Sequence, residues 1–131
     1  METITQQLQN IINSYRILHC EERPKIISRY LTQKNRRKAL FYINPQKKKI
    51  VFGIGHHGTK ILETLPTLPM LADETKVAVI KFFITKPEDI ESKAIRFLIE
   101  QCIDIAGKTF FKMEHFSWKK IKNSKISRGG T

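Results

Sequence analysis

Residues 53–58 read GIGHHG and match the GxGxxG pattern of a dinucleotide-binding loop. In such a loop the glycines let the backbone approach a pyrophosphate at a helix N-terminus. The fold also requires a long crossover helix and an acidic residue after the next strand, about 20 residues on. Here Pro66 cuts the following helix short, and Asp73 and Glu74 come before the next strand. We therefore expect glycines that turn a strand sharply into a helix, and no dinucleotide cofactor.

The same loop suits a phosphate group in simpler chemistry. Backbone amides at the start of a helix, with a lysine close by, form a nest that binds phosphate. The residues that would build this nest are Gly55, His56, His57, Gly58 and Thr59, with Lys60 nearby. The loop leaves one alternative open, an enzyme that acts on a phosphorylated or nucleic-acid substrate at residues 53–60.

Metal and nucleophile chemistry find little support in the spacing of the candidate side chains. His56 and His57 are adjacent, so in an extended segment their rings would point to opposite sides. Neither His19 nor His115 lies at a zinc-ligand spacing from them. Residues 91–93 read ESK, as in metal-dependent nucleases, but they open a predicted helix, where acids favour the helix dipole. We expect no catalytic residue, no metal and no cofactor; the pattern favours a binding protein over an enzyme without deciding between them.

Positive charge is the strongest feature of the composition, with a formal net charge of +12. Residues 23–62 carry eleven basic side chains and no acidic one, and residues 105–131 carry seven basic against one acidic. Clustered lysines and arginines attract polyanions and release counterions on binding. The predicted nucleic-acid-binding residues are Lys34, Arg36, Arg37, Lys38, Lys47, Lys48, Lys49, Lys60, Lys119, Lys120 and Lys122.

Two groups of these residues flank a predicted β-hairpin. Residues 36–38 enter it and residues 47–49 leave its turn, so we expect strand pairing to bring six charges to neighbouring parts of one surface. Tyr42, Phe116 and Trp118 would stack on bases if exposed, although such aromatics more often lie in the core. We expect sequence-tolerant binding of DNA or RNA through phosphates. The second alternative is a module that docks onto an acidic protein or a ribonucleoprotein assembly.

Hydrophobic periodicity and turn residues predict the elements that carry these side chains. The predicted helices cover residues 3–16, 21–33, 59–65 and 87–106, and Gly107 is placed to end the last of them. The predicted strands cover residues 39–43, 49–54 and 76–84, the first two joined by a type I turn. Residues 110–118 fit either a strand or a helix. The pattern predicts an α+β fold, with a small, largely antiparallel sheet around the hairpin, N-terminal helices and one long helix.

Length and composition favour one domain, since 131 residues with 40% hydrophobic side chains suffice for one core. We expect residues 1–118 to form it and residues 119–131 to be a basic, mobile tail. No apolar run approaches the roughly 18 residues that cross a bilayer, and the first residues do not resemble a signal peptide. We therefore expect no membrane partner, an intracellular location in cytoplasm, nucleoid or nucleus, and reduced thiols at Cys20 and Cys102.

The order of these motifs resembles the small α+β domains labelled predicted transport proteins, some of which are attached to nuclease-like proteins. The likeness rests on Phe41 and Tyr42 before the PQKKK turn, the GHHGT loop at residues 55–59, the strand at residues 77–84 and the PEDI that follows. Together these span about residues 38–105, although Pro66 and Pro69 interrupt the family's pattern. The resemblance implies the fold alone, because no activity is established for that family.

Overall fold

Five consecutive strands pair with their neighbours in the chain to form one antiparallel sheet. The computed structural model describes residues 3–65, 68–76 and 78–121. Its strands are β1 His19–Glu22, β2 Ile27–Gln33, β3 Arg36–Asn44, β4 Lys49–Gly53 and β5 Val79–Phe83. Its helices are α1 Ile4–Ile12, α2 Gly58–Thr64, α3 Pro87–Ile90, α4 Lys93–Phe110 and α5 Trp118–Ile121. The predicted α+β fold is confirmed. Among the residues described, none of the helices combines the length and the apolar character that a membrane span needs.

The β3–β4 hairpin forms where the sequence predicts it. Phe41 pairs with Phe52 and Ile43 with Ile50 across the two strands. In the turn, the amide of Lys47 donates to the side-chain oxygen of Asn44 over 3.1 Å. Asparagine therefore performs the role at the start of the turn that its side chain suits, capping a backbone amide close by in the chain.

The helix predicted over residues 21–33 is wrong. This segment instead contributes most of β1 and β2, which pair antiparallel around a turn that contains Pro24. Arg29 and Leu31 are 3% and 0% exposed, whereas Tyr30 between them is only partly buried, as the two-residue period of a strand requires. The apolar residues fit a helical spacing equally well, and pairing with β3 decides between the two. Cys20 accordingly lies in β1.

Helix α1 is shorter than the predicted 3–16. Thr3 begins it with a capping box, in which the Thr3 hydroxyl accepts from the amide of Gln6 and the Gln6 side chain accepts from the amide of Thr3. The helix ends at Ile12. Tyr15 is buried beyond that end, with its ring centroid 5.4 Å from that of Trp118.

The long helix predicted over residues 87–106 is two helices, because Ser92 starts a new one. Its side chain accepts a hydrogen bond from the amide of Ala94. The prediction that Gly107 ends the helix is also wrong, since α4 continues to Phe110. A Cβ at Gly107 would lie 2.2 Å from the ring of Phe116. This glycine lets an aromatic ring pack directly on the helix backbone.

The remaining predictions differ from the structure mainly at their ends. Helix α2 lies one residue from its predicted position at each end. Strand β5 starts at Val79 because Lys76 and Val79 exchange backbone hydrogen bonds of 2.9 and 3.0 Å around a tight turn. Residue 77, which the prediction included, lies outside the described residues. The ambiguous stretch 110–118 turns between the end of α4 and the start of α5.

Helix α4 packs across β3 and β4 and covers one face of the sheet, which we call the inner face. Phe41, Phe52 and Phe82 meet there, with ring centroids 5.2 and 6.4 Å apart. The opposite face, the outer face, carries the intervening residues, among them Tyr42 and Val51. These two faces decide which way each charged side chain of the strands points.

Candidate functional site

The two basic groups that flank the hairpin lie at opposite ends of β3. Arg36 stands opposite Gln33 of β2, whereas Lys49 stands opposite Asn44 at the far end of the strand. Eight residue steps of about 3.3 Å separate Arg36 from Asn44, or roughly 26 Å. The expectation that pairing would gather all six charges on neighbouring parts of one surface is therefore wrong.

The three turn lysines are not equivalent. Lys47 and Lys48 are exposed at the tip. Lys49 forms an ion pair with Glu74, and its ammonium lies 5.2 Å from the ring centroid of Phe83. Its side chain is only 20% exposed. Lys49 is thus occupied by its own chain, and only the first two turn lysines present free charge.

The other end of the sheet gathers basic residues from three elements. The guanidinium carbon of Arg36 lies 5.2 Å from the ring centroid of Phe110, which sets the start of β3 against the last turn of α4. Strand β4 runs towards this end of the sheet, its last pair with β3 being Phe52 and Phe41, and the loop to α2 follows it. We define the basic end as five exposed cations on these elements: Lys34, Arg36, Lys38, Lys60 and Lys108.

No cation of the basic end forms an ion pair among the residues that the structure describes, although Asp104 lies near enough to Lys108 for the lysine to act on the pKa of its carboxyl group. The ion pairs seen in residues 3–65, 68–76 and 78–121 join Glu21 to Arg23 and Arg37, and Glu74 to Lys49. None includes a side chain of the basic end. Five cations that share one surface and are not ion-paired create a positive potential, which attracts polyanions.

Arg37 follows Arg36 in sequence but points to the outer face. Its guanidinium lies 4.0 Å from the ring centroid of Tyr30 and 3.4 Å from a carboxylate oxygen of Glu21. That carboxylate is also 3.1 Å from Arg23. Arg37 is therefore both stacked and paired, and it lies apart from the basic end although the sequence groups the two arginines.

His56 and His57 lie beside the basic end, in a 3-10 turn, Gly55–His57, that precedes α2. Their ring centroids are 4.0 Å apart, so the expectation that the rings point to opposite sides is wrong, because the segment is not extended. Burial lowers the pKa of His57, and the positive charges of His56, Lys108 and Lys60 lower it further. Within the described part of the chain, no three His, Cys, Asp or Glu residues are grouped to hold a metal.

The glycine pattern serves a turn between two antiparallel strands. Gly55 takes φ 67°, the left-handed region that glycine adopts without strain. Strands β4 and β5 run antiparallel, whereas a dinucleotide-binding unit requires a parallel crossover. The amide of Gly55 donates to the carbonyl of Ala78 over 3.2 Å, and the amide of Gly58 donates to the carbonyl of Gly55. A phosphate nest would have to use the amides of His56, His57 and Thr59.

The aromatic residues considered for base stacking are mostly core. Phe116 and Trp118 are 5% and 7% exposed, and only Tyr42 is partly exposed, on the outer face. The amide of Trp118 donates to Asp104 over 2.7 Å at the start of α5. Burial raises the pKa of that carboxyl group. Lys119 and Lys120 are exposed on α5, and Lys122 lies outside the described residues.

Sequence reasoning did not single out Lys108. The signal that could have found it is its place in the last turn of the longest helix, where a cation favours the helix dipole. Its proximity to Lys60 and His57 depends on how α4 crosses the sheet.

Comparison of the chain with family models, with curated proteins and with solved structures gives no match.

Proposed function

We propose that this chain binds nucleic acid through the basic end, by contacts to phosphates that do not depend on base sequence. The observation that carries the proposal is the contact of Arg36 with Phe110, which brings the cations at the start of β3 next to Lys108 in the last turn of α4. Lys60 of α2 belongs to the same surface, since Lys60 and Lys108 both lower the pKa of His57. This surface lies at the end of the sheet opposite the lysines of the β3–β4 turn, where the sequence predicts part of the binding surface.

The chemistry of the basic end suits a phosphate backbone. Lysine ammonium groups act as mobile point charges, and the Arg36 guanidinium, held against a ring, offers a planar edge that can grip one phosphate with two hydrogen bonds. These contacts carry no base information. Each phosphate that is neutralised on duplex DNA steepens the dependence of log affinity on log salt by about 0.9.

A charge-matched pair of triple variants tests the proposal. Lys38→Gln, Lys60→Gln and Lys108→Gln remove three charges from the basic end. Lys25→Gln, Lys47→Gln and Lys48→Gln remove three exposed charges from turns at the other end of the sheet. Affinity for labelled duplex DNA, single-stranded DNA and RNA is measured by fluorescence anisotropy across a salt series.

We expect the basic-end variant to lose affinity for the preferred nucleic acid. The slope of its log affinity against log salt concentration should become shallower by about two to three units. The turn variant should keep both values close to wild type. Equal losses in the two variants would mean that net charge alone drives binding. No binding by wild type at low salt would overturn the proposal and favour an acidic protein as the partner.

A further inference from the structure

A cleft of about 500 Å³ separates α1 from the β1–β2 hairpin. Side-chain amides of α1, among them Gln6 and Gln9, line one wall together with Asn13, the residue after the helix, and the hairpin supplies the other wall. The cleft reaches Glu22 and Ile27, at the start of β2. It is therefore separate from the basic end, which begins where β2 finishes.

Arg29 forms part of this cleft and is 3% exposed. Its Nη2 donates to the side-chain oxygens of Gln9 over 2.7 Å and Asn13 over 3.0 Å. Its buried Nε has no acceptor among the described residues, and no carboxylate forms an ion pair with it there. A buried guanidinium without a counter-charge is costly, and carboxylates are its strongest partners. The cleft therefore holds a positive group that lacks an anionic partner.

Glu22 supplies the opposite charge a short distance away. Cys20 is the cross-strand partner of Arg29 and Ile27 that of Glu22, so Glu22 and Arg29 are diagonal neighbours on the same face of the hairpin. The Cα atoms of diagonal neighbours in an antiparallel pair lie about 7–8 Å apart. Burial lowers the pKa of Arg29, while Cys20 and Glu22 act in the opposite direction. The Glu22 carboxylate thus acts electrostatically on Arg29, but the two side chains form no hydrogen bond or ion pair.

We propose that the cleft binds a zwitterionic ligand of dipeptide size, with its carboxylate on Arg29 and its ammonium group on Glu22. Two extended residues span about 7 Å, comparable to the spacing of the Glu22 and Arg29 positions on the hairpin, whereas a single residue spans only about half of that. The amides of Gln6, Gln9 and Asn13 can hydrogen-bond the peptide group between them. One positive and one negative side chain leave the cleft without net charge, which disfavours phosphates and other polyanions.

The test uses L-alanyl-L-alanine as the probe and the Arg29 Nε–H signal in ¹⁵N-correlated spectra as the reporter. Acetate carries only the carboxylate charge of the probe, and methylammonium carries only its ammonium charge. The signal is assigned by its loss in Arg29→Lys. Glu22→Gln removes the proposed ammonium partner, and Glu88→Gln is the control that makes the same charge change at another exposed acid. Both sites are exposed, so folding is retained.

The expected result is a saturable shift of the Arg29 signal by the dipeptide below roughly 10 mM, with acetate and methylammonium at least about tenfold weaker. Glu22→Gln should weaken the dipeptide about tenfold and leave acetate unchanged, and Glu88→Gln should have no effect. The absence of a saturable shift, an equal shift by acetate, or an undiminished affinity in Glu22→Gln would each overturn the proposal. Arg29 would then only fasten α1 to β2. None of these outcomes depends on nucleic-acid binding.

Discussion

Arg36 lies over the ring of Phe110, with 5.2 Å between the guanidinium carbon and the ring centroid. A cation at this distance from an aromatic face is attracted by the ring quadrupole. The contact joins the first residue of β3 to the last residue of α4, in the same helical turn as Lys108. Arg37, one residue later, points to the other face and is paired with Glu21.

This difference predicts that the two arginines contribute unequally to nucleic-acid binding. Arg36→Gln should lower affinity and reduce the salt slope by about one unit, because one phosphate contact is lost. Arg37→Gln should leave the slope unchanged, because its charge is already shared with Glu21. Anisotropy titrations of both variants across a salt series check the prediction. A slope that falls equally in both would contradict the separation of the two side chains.

Gly107→Ala should destabilise the fold, although alanine normally favours a helix interior by about 1 kcal/mol over glycine. The added Cβ would meet the Phe116 ring at 2.2 Å, and overpacking of this kind costs about 1–3 kcal/mol. Urea unfolding measures the change. Combining Gly107→Ala with Phe116→Leu should cost less than the two single changes added together, since the smaller side chain relieves the clash. If the two changes in unfolding free energy simply add, the clash with Phe116 is not the cause of the destabilisation.

The buried carboxylate of Asp89 holds the start of α3. Its Oδ2 accepts from the amides of Thr85 over 3.0 Å and Lys86 over 3.2 Å. Asp89→Ala leaves both amides without this acceptor and should lower the free energy of unfolding by about 1–3 kcal/mol. Glu88→Ala, at an exposed position in the same turn, should change it by no more than about 0.5 kcal/mol. Denaturant unfolding of the pair shows whether the buried carboxylate is the cause.

Tyr15 predicts a loss of stability at alkaline pH. Burial raises the pKa of its hydroxyl to about 12, and the Glu100 carboxylate, which accepts its hydrogen bond over 3.0 Å, adds to the shift. The folded state keeps the proton more tightly than the unfolded state, whose pKa is near 10. This contribution to stability is therefore complete below pH 10 and is lost as pH rises towards 12.

The measurement is urea unfolding from about pH 8 to about pH 11 for wild type and Tyr15→Phe. The variant should be less stable at the lower pH, since it lacks the hydrogen bond, and should lose less stability as pH rises. Parallel pH profiles would show that other groups cause the alkaline loss. Tyr42→Phe, at a partly exposed tyrosine on the outer face, serves as the matched control.

The sequence by itself determined the local features of this protein. The β3–β4 turn follows from Asn44 and Pro45, and α2 follows from the glycines before it and Pro66 after it. The α+β class follows from the mixture of two-residue and helical periods. Such features depend on residues close together in the chain, so their physical causes can be read without knowing what packs against them.

Where the local signal predicted the wrong element, the tertiary structure decided. Residues 27–33 carry apolar side chains at helical spacing, and the strand exists because β1 and β3 offer hydrogen-bonding partners on both sides. Gly107 is a residue type that commonly ends helices, but here it lies inside α4 and lets the Phe116 ring pack against the helix backbone. In both cases the deciding partner lies in another element.

The candidate sites belong to this second kind. Residues 36–38 and 47–49 look like one basic cluster in the sequence, but a strand of nine residues keeps them at opposite ends. Lys108 joins Arg36 only because α4 crosses β3, and Arg29 faces the amides of α1 only because that helix packs on the hairpin. Charge is a property of the sequence, but its concentration on a surface depends on distances between elements, which only packing determines.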